Sequence, residues 1–176
     1  LLHQSHQWYL RRNLPEAIDY AQKALALSEH MGHPEGKIEA NLLLGQAYNL
    51  TAQYQGDTEL FTQALRYLHH ADQLNRSPQD YEKTLDILLA LGDTYRNRED
   101  FEAAKMYIAK AWAYTKAKKD LRGEILTAYG ESQLAIAQND FERASTLLEQ
   151  GLEIMRHHEL NEEVLHAKAY YLRVQI

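Results

Sequence analysis

The chain has 176 residues, 19 Lys and Arg against 25 Asp and Glu for a net charge of −6, and no cysteine. The acidic balance argues against an electrostatic nucleic-acid binder, which needs a concentrated basic face, and the missing thiols exclude a disulfide framework and thiolate chemistry. Only three prolines and eight glycines interrupt a composition that favours helix nearly throughout, and no apolar run approaches the ~18 residues of a membrane span.

Residues 1–12 read as a first helix with Leu1, Ser5 and Trp8 on one face. The chain starts partway into this helix and stops partway through another, which predicts a piece of a larger protein. His3 and His6 stand one turn apart, but no neighbouring carboxylate or third His completes a metal site, so they read as polar surface or groove lining. Asn13-Leu14-Pro15 starts the second helix, with Pro where its missing N–H is harmless. It runs through Ala17, Ala21, Ala24 and Leu25 to about Met31, and Gly32 ends it. His33-Pro34-Glu35-Gly36 opens the next pair, whose first helix carries Ile38, Asn41, Leu44, Gly45 and Tyr48.

Gln55-Gly56-Asp57 is the following turn, with Asp57 as N-cap. Tyr48 to Ala64 spans 16 residues, against nine from Tyr95 to Ala104. Seven extra residues equal about two helical turns, so both helices can lengthen without rotating their apolar faces. The extension is either a neutral insertion or a ridge that contacts a partner. Ser77-Pro78-Gln79-Asp80 supplies a cap and a first-position Pro for the third pair.

In that pair Leu88, Leu91 and Tyr95 share a face beside Gly92, which lets a neighbouring helix approach closely. Asn97, Glu99 and Asp100 break the pattern, and Phe101, Ala104, Ile108 and Ala111 form a second stripe. Lys110, Lys116, Lys118 and Lys119, like His30, His69-His70 and His157-His158, gather near second-helix C-termini, where cations complement the helix dipole. In the fourth pair Ser132 and Ala135 replace the Gly and Tyr, while Ala144, Leu148 and Gly151 keep the second stripe. Residues 160–176 read as one more first helix, with Leu165, Tyr171, Leu172 and Val174. Its partner helix is missing, which predicts an exposed apolar face.

These columns recur. Ala17, Ala64, Ala104 and Ala144 are separated by 47, 40 and 40 residues, and Leu1, Asn41, Leu88, Ala128 and Lys168 by 40, 47, 40 and 40. Ile38, Leu85, Ile125 and Leu165 form a third column, and Ala24, Ala71, Ala111 and Gly151 close the stripes. The pattern Leu88-x-x-Leu91-Gly92-x-x-Tyr95 followed by Ala104, Ile108 and Ala111 resembles a tetratricopeptide repeat, with a period of about 40 instead of ~34. The resemblance implies an all-α fold, a right-handed α-solenoid of about nine helices in antiparallel pairs. It implies a single domain over 1–176 with repeats near 1–33, 34–76, 77–119, 120–159 and a partial 160–176.

It further implies a non-enzymatic module that binds a protein or peptide on a concave face lined by first helices. By register that face carries His6, Tyr9, Glu39, Leu42, Gln46, Asn49, Asp86, Leu89, Asp93, Arg96, Leu126, Tyr129, Gln133, Ile136 and Arg173. Family members that grip a C-terminal carboxylate use Lys/Asn pairs where Leu2/His6, Leu42/Gln46 and Leu89/Asp93 stand here, so that activity is not expected. The mixed apolar, aromatic, amide and acidic face suits a helix or extended segment with apolar anchors and some basic residues. No Gly-rich phosphate loop, nucleophile elbow or His-Glu-x-x-His pair occurs, and the carboxylates read by default as solvent-exposed charge. No cofactor, metal or membrane insertion is expected. The long period and the Gly32-to-Gly36 opening are similar to arrays in bacterial signalling and regulatory proteins, which implies a cytoplasmic setting. A structural self-association module, using the unpartnered last helix, is the alternative.

Overall fold

Apolar residues at helical spacing resolve into nine helices in the computed structural model, which describes residues 1–75, 81–160 and 163–176. Among the described residues there is no strand, so the all-α class and the helix count are as expected. The anticipated start at Ser77-Pro78-Gln79-Asp80 lies outside them. Two compact units result, Leu1–Glu99 and Asp100–Ile176. The first holds α1 (Leu2–Leu10), α2 (Leu14–His30), α3 (Pro34–Gln55), α4 (Thr58–Leu74) and α5 (Tyr81–Asn97). The second holds α6 (Phe101–Lys118), α7 (Leu121–Ala137), α8 (Phe141–His157) and α9 (Glu163–Gln175). In the first unit each helix packs on the next, and the odd-numbered ones also touch, α1 on α3 and α3 on α5. In the second, α6 packs on α7, α7 on α8, α8 on α9, and α7 on α9.

Local chemistry sets the helix starts. Asp57 accepts from the Glu59 N–H at 2.9 Å, Asp100 from Ala103 at 3.2 Å and Asp140 from Arg143 at 3.1 Å, each satisfying an amide that has no intrahelical partner. His33 caps α3 with its ring Nδ1, 2.9 Å from the Gly36 nitrogen. At these and other breaks between helices the chain passes through a left-handed residue. Glu99, Lys119, Asn139 and Glu159 have φ of 65°, 54°, 60° and 53°, and they recur every 20 residues, one helix and one turn apart. Gly56 does the same work at φ 67°, where glycine carries no steric penalty.

Within the pairs, one position on each first helix meets one carbonyl on its partner. Ser5 Oγ donates to the Ala17 carbonyl at 2.8 Å, and Ser132 Oγ to the Ala144 carbonyl at 2.9 Å. At the corresponding place in α3, a Cβ on Gly45 would stand 2.4 Å from Leu68 Cγ and 3.2 Å from the Ala64 carbonyl oxygen. Only a very small side chain, or one that bonds the carbonyl, fits. The apolar columns close over this seam: Ile38, Leu85, Ile125 and Leu165 are buried, as are the alanines at 17, 64, 104 and 144.

The seven-residue extension divides between two helices. Gly56 comes eight residues after Tyr48, whereas Glu99 comes four after Tyr95, so α3 takes four of them. Ala64 stands seven residues after its Asp57 cap, whereas Ala104 and Ala144 stand four after theirs, so α4 takes three. The apolar faces keep their register, because four and three residues are each about one turn.

The seam makes a graded prediction. Ser132→Ala loses one buried hydrogen bond and is expected to cost about 1 kcal/mol. Ser132→Leu must also push α7 and α8 apart, adding about 1–3 kcal/mol. Urea denaturation reads both, and equal midpoints for the two variants would contradict the seam.

Candidate binding face

Because α1, α3 and α5 lie side by side, side chains near their C-terminal ends converge. Asn49 Nδ2 donates to Asp93 Oδ2 at 3.1 Å, and Asn97 Nδ2 donates to Asn49 Oδ1 at 3.0 Å. The Arg96 guanidinium closes the ring by donating to Asp93 Oδ1 and, at 2.9 Å, to Asn97 Oδ1. Every member holds two others, and the Asn49 side chain is buried beneath them. Tyr9 adjoins this ring. Burial, and then the Asp93 carboxylate and Tyr54, push its phenol above the ordinary 10.0, while Arg12 pulls it back. Arg12 in turn donates to the Tyr54 hydroxyl at 2.8 Å.

This arrangement is built to hold shape. The Asp93 carboxylate is occupied by an amide and a guanidinium, which makes it a poor general base. Among the described residues no three His, Cys, Asp or Glu side chains gather as a metal site, and no helix is long and apolar enough to cross a membrane.

Of the residues expected on this face, Tyr9, Asn49, Asp93 and Arg96 are brought into one cluster. His6 and Asp86 are exposed, Glu39, Gln46 and Leu89 are half-buried, and Leu42 is buried. In the second unit Gln133 and Ile136 are half-buried on α7 and Leu126 is buried. The burial of Leu42, Leu126 and Tyr129 differs from the open placement expected, while Arg173 is exposed but paired. Tyr129 is only 3% exposed and packs inside the α7–α8 pair, its hydroxyl 3.4 Å from Met155 Sδ. A Cβ on Gly151 would stand 2.6 Å from the Tyr129 ring, so the glycine makes room for the aromatic. Arg173 turns to Glu149 of α8 and forms an ion pair there.

Three members of the cluster were not anticipated: Arg12, Tyr54 and Asn97. Tyr54 rides on the extra turn of α3, and Asn97 ends α5. Nor is every carboxylate solvated charge. Glu131 accepts from Trp112 Nε1 of α6 at 2.6 Å and from Arg143 of α8 at 2.5 Å, tying three helices through one side chain. Lys116 of the basic cluster pairs with Glu124 at 3.2 Å. No family model matches the chain, and no curated protein does.

The buried Tyr129 predicts a pH dependence. Burial, and secondarily Glu149, raise its phenol to about 12. The folded state therefore holds this proton more tightly than the unfolded chain. That stability is complete below the unfolded value of about 10 and fades as pH rises towards 12. Denaturation midpoints of Tyr129→Phe are expected to fall less across this window than those of the parent; parallel curves would refute the burial. Tyr129→Ala leaves a cavity and is expected to cost about 3–5 kcal/mol in the same assay.

Proposed function

We propose that this chain is a tetratricopeptide-type repeat module that binds a peptide or helix of a partner protein, or of its own parent chain, on the face of its first helices. In this reading it is not an enzyme, needs no cofactor, and serves a bacterial signalling or regulatory protein in the cytoplasm. The observation that supports it most is the closed ring of Asn49, Asp93, Arg96 and Asn97. A face whose polar groups already hold one another loses little conformational entropy when a ligand docks. Beside it, Leu89 and Tyr9 offer apolar and aromatic surface, and Glu39 and Asp86 supply negative charge. Such a face suits a segment with apolar anchors and a few basic residues.

Selection from a random peptide library against the whole chain tests this. Enriched peptides are expected to combine apolar and basic residues, and to bind Leu89→Ala and Tyr9→Ala about tenfold more weakly, a loss of about 1.4 kcal/mol. Peptides that bind both variants as well as the parent would move the site off the first-helix face.

A second reading, self-association through α9, draws on one observation. Tyr170, Tyr171 and Val174 are 73%, 58% and 71% exposed on this last helix, although Leu165, Ala169 and Leu172 are buried. If α9 pairs between copies, sedimentation velocity will give a dimer that Tyr171→Arg converts to monomer. A monomeric parent at micromolar concentration ends this reading.

A further inference from the structure

We propose that the cleft between α2 and α4 is a binding site for a small zwitterion of the amino-acid or dipeptide class, with Asn41 as its floor. The cleft encloses ≈490 Å³. Asn41 comes from α3 and occupies the column that holds Leu1, Leu88, Ala128 and Lys168 in the other repeats. A buried amide costs stability unless both of its polar ends are paired. Asn41 is fully buried, and its Nδ2 donates to the Lys37 carbonyl at 2.7 Å, which settles which end is nitrogen. Its Oδ1 has no partner among the described residues. The group left to satisfy is therefore an acceptor, and what suits it is an N–H or O–H.

The walls extend that requirement in opposite directions. From α2, Glu29 adds a carboxylate, which favours an ammonium as the donor. From α4, Arg66 and His70 present donors suited to a carboxylate. The α4 wall is braced: the Arg66 guanidinium lies 5.1 Å from the Tyr67 ring centre, and Tyr67 stacks on Tyr48 of α3 at 5.5 Å and 4°. His69 Nε2 lies 2.8 Å from the Tyr95 hydroxyl. Acceptors on the floor and one wall, with donors on the other, match a molecule carrying both an ammonium and a carboxylate. A lone amine leaves the α4 wall unmatched, and a lone carboxylate leaves Asn41 Oδ1 unmet.

Amide ¹H–¹⁵N spectra of the whole chain, titrated with L-glutamine, L-arginine and glycylglycine, test the site. Propionate and propylamine serve as single-charge controls. At least one zwitterion is expected to shift resonances around Asn41 saturably, with Kd near 1 mM or tighter and about tenfold tighter than either control. Asn41→Leu is expected to abolish the shifts while raising Tm by about 2–4 °C, since an apolar side chain suits that column. Glu29→Gln and Arg66→Gln, at the exposed rim, leave the fold intact and are each expected to weaken binding about tenfold. No saturable shift with any zwitterion, equal binding of a control, or unchanged binding in the rim variants would overturn the proposal.

Discussion

The molecule depends on how closely two helices can approach at a single point. Where Ser5, Gly45 and Ser132 stand, each first helix meets an alanine carbonyl of the second, and a side chain larger than serine has nowhere to go. Serine solves the problem by donating a hydrogen bond, and glycine by removing the side chain altogether. Interiors packed at crystal-like density tolerate neither a void nor an extra methylene. The apolar columns can therefore bury only once this contact is made, and the helix pairs inherit their antiparallel register from it.

From that contact the working face follows. Setting α1, α3 and α5 side by side brings Tyr9, Asn49 and Asp93 within reach of one another, although they are far apart in sequence. The extension of α3 by one turn adds Tyr54 to the same end, where Arg12 holds its hydroxyl. A change that leaves the packing register untouched thus alters only what the end of the face displays. Insertions of whole turns are the ones such a pair can absorb, because any other length would rotate an apolar stripe into water.

Much of the architecture was legible in the sequence because it is periodic. The alanine columns, the Pro15 and Asp57 helix starts and the Gly56 turn all lie where spacing and local chemistry put them. The breaks near Glu99, Lys119 and Glu159 were legible but their left-handed conformation was not, since charged residues seldom adopt positive φ and carry no turn signature. Tyr129 was placed on the open face because its register matches Leu42 and Leu89. Its real signal was Gly151, a glycine in an alanine column, which marks space for a large neighbour. The partners of Arg173 and Glu131 were not legible for a different reason: long charged side chains choose partners across helices, and spacing along one helix does not reveal them. Asn41 was visible as one of two polar members of its column, but only the structure shows that one end of its amide is unmet.

The central claim, that close contact at the seam sets each pair, is tested most directly by a double-mutant cycle between Gly45 and Leu68. Gly45→Leu alone inserts a side chain against Leu68, and Leu68→Ala alone leaves a cavity. Together the two should compensate, with a favourable coupling of about 1–3 kcal/mol in urea denaturation. Strictly additive losses would mean that the two residues do not press on each other, and the account of the seam would fail.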